Sequence, residues 1–296
     1  FADVQYWYED GHIHHIIEML QFQPDFIFHY DIAWNNVFAP KIDGLARINI
    51  PKACFVIDLH WFPQTRREYF EYNQIDVIFS VSRHPFLYIF PEYEHQLSWM
   101  PWSINPNIYK DWGLQKNIDY LLMGLLYAEF EKNDRYQRPK LMALKGRYTF
   151  RDAVFKTLKN DPNFVYHPHP GHRSQQRGKA IVQEEYAKQL NQAKMFFTCG
   201  SRSRSGGYAV MKFFEAPACK TLLIAEPNKD VEALGFISGE NYVACTVNQI
   251  ETFAQYYSHH DEERRRITEN GYRFIHKHHT NEVRAKQMLA KMKNFI

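Results

Sequence analysis

Two charged residues stand inside a strongly apolar stretch in the last third of the chain. Lys212 and Glu215 are flanked by Val, Met, Phe and Ala, and their spacing of three places both side chains on one face of a helix. A charge in so apolar a segment needs a partner. Lys212 could meet a diphosphate and Glu215 could accept hydrogen bonds from ribose hydroxyls. A surface ion pair on an otherwise buried helix is the alternative.

A loop rich in Ser and Gly, residues 201–207, precedes this stretch and follows an apolar run that ends at Cys199. We expect a strand, the loop and then a helix that begins near Tyr208. The free backbone N–H groups and the dipole of a helix start favour a phosphate, and Gly206 and Gly207 permit close approach to the backbone. The pattern predicts an anion site, with an ordinary loop bearing two solvated arginines as the alternative.

Polar residues also follow an apolar run in the first third of the chain. Asp58 and His60 come directly after residues 53–57. In open α/β folds, functional groups gather at the carboxyl ends of strands. Either side chain could therefore hydrogen-bond a transferring group or its acceptor. The alternative is an Asp that caps a helix and a His that faces solvent.

The chain contains 15 histidines, several of them close together. His169, His172 and Arg173 belong to a proline-bearing loop after a predicted strand, and this loop is either the edge of a binding site or only a stiff connection. The histidines near the two ends of the chain lack the spacing of a zinc motif. We therefore expect no metal site.

Short apolar runs of strand length alternate with helical patterns along the whole chain. The runs 26–28, 53–57 and 77–81 have the character of buried parallel strands. Residues 101–106 contain two prolines and are interpreted as a linker, after which the alternation resumes. The pattern predicts an α/β layer fold in two units with a cleft between them, a common place for a ligand. Beyond the linker we expect strands at residues 118–124, 163–166, 195–199 and 221–224, and helices at residues 137–144, 178–190, 208–218, 248–257, 262–277 and 280–294.

The composition is that of a globular protein with a substantial core. Hydrophobic residues make up 45% of the 296 residues, a length that suits two ordinary domains. The net charge of +3 is too small for a general nucleic-acid surface, so we expect no nucleic-acid partner. We see no run of the roughly 18 apolar residues that a membrane helix needs and no signal peptide. The four cysteines lack Cys-x-x-Cys spacing and are expected to be reduced, buried thiols of a cytoplasmic protein.

The stretch 206–219 resembles the donor-site block of glycosyltransferases of the spore-maturation-protein-B group, which are relatives of the large retaining GT-B family. Residues 236–242 and 260–285 resemble the later blocks of that group in the same order. A weaker likeness extends upstream. Residues 100–106 resemble the linker between the two domains, and Arg138 is placed at the arginine of a Tyr-x-x-Arg block after the first strand of the second domain.

The resemblance implies a GT-B fold, in which two Rossmann-like domains face each other across a cleft. Residues 1–103 would form an acceptor-side domain that lacks its first strand, and residues 104–278 a nucleotide-sugar-binding domain. The C-terminal helix, residues 279–296, would pack back on the first domain. The implied activity is transfer of a sugar from a UDP- or GDP-sugar donor to a polysaccharide, protein or small molecule, with retention of configuration. No permanently bound cofactor is implied.

The resemblance also assigns roles to individual residues. It implies donor binding by Arg138, Gly206, Gly207, Tyr208, Lys212 and Glu215, and it implies that the N-terminal domain faces the acceptor. Asp58 and His60, at a predicted strand end in that domain, are our candidates for the catalytic step. Two positions depart from the family pattern. Retaining relatives often carry a Glu-x7-Glu pair, and its first position falls on Gly207, while Lys220 stands where a glycine is usual. A catalytically silent GT-B module that binds a glycan or a protein partner is therefore the alternative.

Overall fold

The computed structural model describes residues 2–30, 39–127, 148–169, 181–200 and 207–296. The chain divides into two compact units, of which unit 1 comprises Phe1–Pro101 with Glu282–Ile296 and unit 2 comprises Trp102–Asn281. No helix in the described ranges has both the length and the apolar character to span a membrane.

The strands are β1 (Gly11–His12), β2 (Ile27–His29), β3 (Ile42–Asp43), β4 (Lys52–Val56), β5 (Val77–Ser80), β6 (Leu97–Trp99), β7 (Ile118–Met123), β8 (Phe164–His167), β9 (Ala193–Thr198), β10 (Leu222–Ala225) and β11 (Val243–Ala244). The helices are α1 (Ile13–Leu20), α2 (Pro63–Tyr72), α3 (His84–Ile89), α4 (Thr149–Leu158), α5 (Gln183–Gln192), α6 (Lys212–Ala218), α7 (Lys229–Ala233), α8 (Ile250–His259), α9 (Asp261–His278) and α10 (Asn281–Met292).

Unit 1 is built on a four-stranded parallel sheet in the order β2-β4-β5-β6, with a separate parallel pair of β1 and β3. The sequence predicts β2, β4 and β5 because each contains a bounded apolar run. It does not predict β6, a strand of only three residues that is partly exposed along its length. Met288 and Met292 of α10 pack against a buried cluster that includes Ala53 and Phe79, so the last helix contributes to the core of unit 1.

Unit 2 is built on a five-stranded parallel sheet in the order β11-β10-β9-β7-β8. Its central strands are buried on both faces, as continuous apolar runs require. Phe196 on one face packs in a cluster with residues of α5 and α6, and Phe197 on the other face packs with residues of α4 and α8. Two layers of helices therefore enclose the sheet, and the α/β class predicted from the sequence is confirmed.

One predicted helix begins later than the sequence indicates. The pattern places the helix start near Tyr208, but α6 begins at Lys212 and has only seven residues. The backbone of Tyr208 lies against Gly200, where an added Cβ would be 2.5 Å from the Tyr208 carbonyl oxygen. This close approach keeps the backbone between Tyr208 and Lys212 outside the helix. The prediction that the glycine loop opens directly into a helix is therefore wrong.

Candidate functional site

The carboxyl ends of three adjacent strands lie side by side in unit 2, because β7, β9 and β10 are neighbours in a parallel sheet. In open α/β sheets ligands bind at this edge. Gly124 follows β7, and Cys199 and Gly200 follow β9. The candidate site is assembled from the residues that surround this edge.

Arg151 is the cation most firmly fixed at this edge. It belongs to α4, is only 5% exposed, and donates from Nη2 to the carbonyl oxygen of Cys199 at 3.2 Å. Its guanidinium lies 4.2 Å from the centre of the Tyr148 ring. A Cβ at Gly124 would lie 2.9 Å from Nη1, so glycine leaves the room that the guanidinium occupies. Among the described residues the Nε of Arg151 has no hydrogen-bond partner, which leaves a buried donor for a ligand to satisfy.

Lys212 and Glu215 lie at the start of α6, and Glu215 is only 6% exposed. Burial raises the pKa of the Glu215 carboxyl, which the charge of Lys212 and a hydrogen bond from Tyr109 counteract. Burial also lowers the pKa of Lys212 to about 8, with Glu215 opposing and Arg151 reinforcing that shift. The surface ion pair considered from the sequence is wrong, because Glu215 is enclosed in the protein.

Gly207 and Tyr208 adjoin this group, whereas Gly206 and Arg138 lie outside the described residues. Gly207 has a φ of 89°, a conformation that disfavours a side chain. A glutamate at this position would therefore be strained. Tyr208 is buried, with its hydroxyl enclosed in the protein.

Lys220 stands where the glycosyltransferases that the sequence resembles usually have glycine. It adopts a φ of 53°, so the turn has a left-handed conformation with a side chain on it. Its ammonium group pairs with Asp111 at 3.1 Å and with Glu269 at 3.3 Å. This lysine therefore has a structural explanation that involves no ligand.

In unit 1, Asp58 and His60 follow the carboxyl end of β4 and are both exposed. Asp58 is not a helix cap, because the N-cap of α2 is Phe62. The loop is instead held by Arg66, which is 1% exposed and donates to the carbonyl oxygens of Ile57 at 2.6 Å and Asp58 at 3.1 Å. The structure thus fixes the backbone of this loop and leaves the carboxylate and the imidazole at the surface.

The remaining candidates lie elsewhere. His169 is partly buried and follows β8, whereas His172 and Arg173 lie outside the described residues. Within the described ranges, no group of three or more His, Cys, Asp or Glu side chains could hold a metal ion. The four cysteines are buried thiols.

Arg151 is the functional candidate that the sequence assignment missed. Residues 148–151 have the Tyr-x-x-Arg spacing, whereas Tyr136 and Arg138 are only two apart. The spacing alone would have pointed to the later arginine. Tyr109 influences the pKa of Glu215, and nothing in its own segment of the sequence indicates this.

Comparisons with known proteins agree with this architecture. Residues 147–290 match the model of a family described as glycosyl transferase-like. No curated protein sequence matches the chain.

Three solved structures share the fold over nearly the whole chain. A glycosyltransferase from Rickettsia africae is 13% identical in sequence and has a TM-score of 0.61. The match covers 96% of this chain and 79% of the Rickettsia chain. HepE from Anabaena, solved with UDP and glucose, is 9% identical with a TM-score of 0.61, covering 95% of this chain and 81% of its own. Sucrose-phosphate synthase from Thermosynechococcus elongatus is 12% identical with a TM-score of 0.62, covering 95% of this chain and 76% of its own.

At this level of identity the structures establish the fold, which is that of GT-B glycosyltransferases. The predicted glycosyltransferase class agrees with the family model. The narrower spore-maturation-protein-B subgroup stays a prediction. The chain thus has the GT-B fold, and residues 147–290 match the model of a family described as glycosyl transferase-like.

Proposed function

We propose that this protein transfers a sugar from a UDP-sugar to a hydroxyl-bearing acceptor, with retention of configuration. The observation that carries the proposal is the group of Arg151, Lys212 and Glu215 at the carboxyl edge of the unit 2 sheet. Two cations and a carboxylate there match the diphosphate and the ribose of a nucleotide sugar. HepE, which shares the fold, was solved with UDP and glucose, and this favours uracil over guanine as the base.

Arg151 and Lys212 are assigned to the diphosphate. Arg151 opposes protonation of Lys212, and burial lowers the pKa of Lys212 to about 8. A dianion beside both groups would remove this repulsion and supply the missing partner of the arginine Nε. The donor therefore supplies the counter-charge that this arrangement of side chains needs.

Glu215 is assigned to the ribose. A carboxylate accepts hydrogen bonds through two oxygens and can receive two neighbouring hydroxyls. Gly207 and Tyr208 adjoin this group and are assigned to the donor as well, together with Gly206 and Arg138 from the sequence.

The proposed reaction breaks the bond between the anomeric carbon and the β-phosphate oxygen. The acceptor hydroxyl oxygen forms the new bond to that carbon, and its proton passes to the departing phosphate. Arg151 and Lys212 then stabilise charge that develops on the leaving diphosphate. Asp58 and His60 are assigned to hydrogen bonds with the sugar or the acceptor hydroxyl.

The first experiment measures UDP and GDP binding by isothermal titration calorimetry, with and without Mg²⁺. The substitution Lys212→Met should weaken UDP binding about tenfold or more, because one charge-assisted hydrogen bond is lost. Lys220→Met is the matched control, since this lysine flanks the same helix but pairs with Asp111 and Glu269. Absence of nucleotide binding by the wild-type protein, or equal effects of both substitutions, would overturn the assignment.

A second measurement tests the protonation of Lys212. Because its pKa is about 8 before binding, a diphosphate that raises it should cause proton uptake at pH 8. Titrations in buffers of different ionisation enthalpy measure this uptake directly. Lys212→Met should reduce it, and unchanged uptake would show that the diphosphate binds away from this lysine.

A further inference from the structure

Asn228 lies shortly after β10, at the carboxyl edge of the unit 2 sheet where the candidate site is assembled. It is only 8% exposed. Its side-chain oxygen accepts a hydrogen bond from the backbone N–H of Val231 at 3.0 Å and so caps α7. Because this cap uses the oxygen of the amide, the NH2 group must point elsewhere. The short helix therefore fixes the direction of a buried hydrogen-bond donor.

The NH2 group of Asn228 lies beside the end of the neighbouring strand, β9. A Cβ built on Gly200 would be 3.3 Å from the Asn228 Nδ2. One residue earlier, the carbonyl oxygen of Cys199 lies 3.2 Å from the Nη2 of Arg151. The peptide that joins Cys199 to Gly200 is thus close to both an amide and a guanidinium, whose nitrogens are at most about 10 Å apart. One ligand of the size of a diphosphate could contact both.

Both side chains contain a buried donor atom that has no hydrogen-bond partner among the described residues. These atoms are the Nδ2 of Asn228 and the Nε of Arg151. An unpaired buried donor destabilises a fold, and nearly all such groups in folded proteins are satisfied. Two of them lie at one strand end, in side chains that are 8% and 5% exposed. This arrangement indicates that a ligand supplies the missing acceptors.

The chemistry of the two donors indicates what kind of ligand this is. Neither a guanidinium nor an amide NH2 group can accept a hydrogen bond, so the ligand must present acceptor oxygens. Arg151 also needs a negative charge. Phosphate oxygens meet both requirements. A sugar hydroxyl would satisfy a donor but would bring a proton that needs an acceptor of its own.

We propose that Asn228 binds the diphosphate of the donor substrate, by donating a hydrogen bond from its side-chain NH2 group to a phosphate oxygen. This inference rests on the proposed function, which assigns Arg151 and Lys212 to the same diphosphate. Asn228 adds a neutral donor from a third segment of unit 2. α7 contributes only the cap that holds the amide in place.

Two substitutions separate the amide donor from the helix cap. Asn228→Ser keeps a side-chain oxygen that caps a helix about as well as asparagine, but it has no NH2 group. Asn228→Asp also keeps a good cap and places a carboxylate where the donor was. The unfolding temperature of Asn228→Ser without ligand should be kept or raised, because an unpaired buried donor is removed.

Asn191 provides the matched control. It is 1% exposed and lies just before β9, at the opposite end of that strand. Both sides of its amide are paired, since Oδ1 accepts from the backbone N–H of Leu114 at 3.0 Å and Nδ2 donates to the carbonyl oxygen of Cys219 at 2.9 Å. Asn191→Ser should therefore show the reverse pattern, with a lower unfolding temperature and a nearly unchanged affinity for the nucleotide.

The test measures binding of UDP and of UDP-glucose to the full chain by isothermal titration calorimetry. Asn228→Ser should weaken both ligands about tenfold, because a hydrogen bond to a charged group is lost. Asn228→Asp should weaken both about 100-fold or more, because a carboxylate then faces the phosphate. Thermal unfolding of each variant without ligand measures the stability of the fold separately.

The outcomes separate this inference from the proposed function. Wild-type protein that binds neither ligand overturns the proposed function and, with it, this role for Asn228. Where the wild-type protein binds UDP, an unchanged affinity in Asn228→Ser overturns the role of Asn228 alone. Equal losses of affinity in Asn228→Ser and Asn191→Ser would do the same, because they would reflect a general loosening of the unit. A loss confined to UDP-glucose would place the amide at the sugar and overturn its assignment to the diphosphate.

Discussion

The candidate residues of the two units are held in opposite ways. In unit 2, Arg151 and Glu215 are buried side chains whose charges are fixed by neighbours. In unit 1, Asp58 and His60 are exposed, and it is the backbone beneath them that Arg66 fixes. Burial holds charged groups in place before a ligand binds and strengthens their electrostatic interaction with it. Burial of charge also lowers the free energy of unfolding, because the groups lose their hydration. Exposed side chains can meet partners of different shapes. This contrast agrees with the proposed function, in which unit 2 would bind the nucleotide and unit 1 would meet the acceptor.

Removal of the buried carboxylate of unit 2 should have the largest effect on binding. Glu215→Ala should weaken UDP binding about 100-fold or more, because two hydrogen bonds to a charged group are lost. It should also destabilise the fold, because Lys212 loses its opposing charge. Calorimetry and thermal unfolding measure the two effects. Glu232→Ala, an exposed carboxylate of α7, is the control and should leave both unchanged. An unchanged affinity in Glu215→Ala would contradict the ribose assignment.

The second prediction concerns the exposed loop of unit 1. His60→Ala should lower turnover of a UDP-sugar roughly 10- to 100-fold, if the imidazole acts on the sugar or acceptor, while the affinity for UDP stays within about twofold. Hydrolysis of UDP-glucose with coupled detection of UDP is the assay. His95→Ala, an exposed histidine elsewhere in unit 1, serves as the control. Equal loss of UDP affinity and turnover in His60→Ala would place this residue with the donor instead.

A buried charge in unit 2 should lower the stability of the fold, and Lys116 allows this to be measured. Lys116 donates to the carbonyl oxygens of Ala193 at 2.8 Å and Lys220 at 2.5 Å, and burial lowers its pKa from 10.5 to about 8. Between pH 8 and 10.5 the unfolded chain therefore binds more protons at this site than the folded one. The free energy of unfolding should rise with pH in this window, by roughly 1–3 kcal/mol.

Lys116→Met should flatten that rise in urea unfolding measured from pH 8 to 10. Lys188→Met is the control, since Lys188 forms an exposed pair with Glu184 and should leave the slope unchanged. A wild-type protein that loses stability across this window, with no difference in Lys116→Met, would contradict the stated protonation of Lys116.

The smallest expected effect concerns Lys220, whose backbone is strained and whose charge is paired at the surface. Lys220→Gly removes the strain of a left-handed conformation, which costs about 1–2 kcal/mol for a residue with a side chain. It also removes two partly exposed ion pairs, each of which stabilises the fold by about 0–1 kcal/mol. The free energy of unfolding should therefore change by less than about 1 kcal/mol. Lys220→Ala keeps the strain, loses the pairs and should be less stable than Lys220→Gly. Because both variants lack the ion pairs, the reverse order in thermal unfolding would show that the extra conformational freedom of glycine in the unfolded chain outweighs the relieved strain.

The sequence alone determined the fold class and most of the strands. Runs such as residues 53–57 and 195–199 are continuous and apolar because parallel strands are covered on both faces. The sequence also singled out Lys212 and Glu215, because charged residues within an apolar helix need a partner. The likeness of the second half to a glycosyl transferase-like family was also carried by local residue patterns.

Only the tertiary structure decided which residues meet. The delayed start of α6 depends on the contact between Gly200 and the Tyr208 backbone, and β6 is too short and too exposed to show an apolar pattern. Arg151 beside Cys199 joins segments far apart in the chain. Periodicity reports which face of one element is buried, because that is a local property of spacing. It contains no information on which distant side chain will lie opposite a buried charge, since that partner is chosen by the packing of the whole unit.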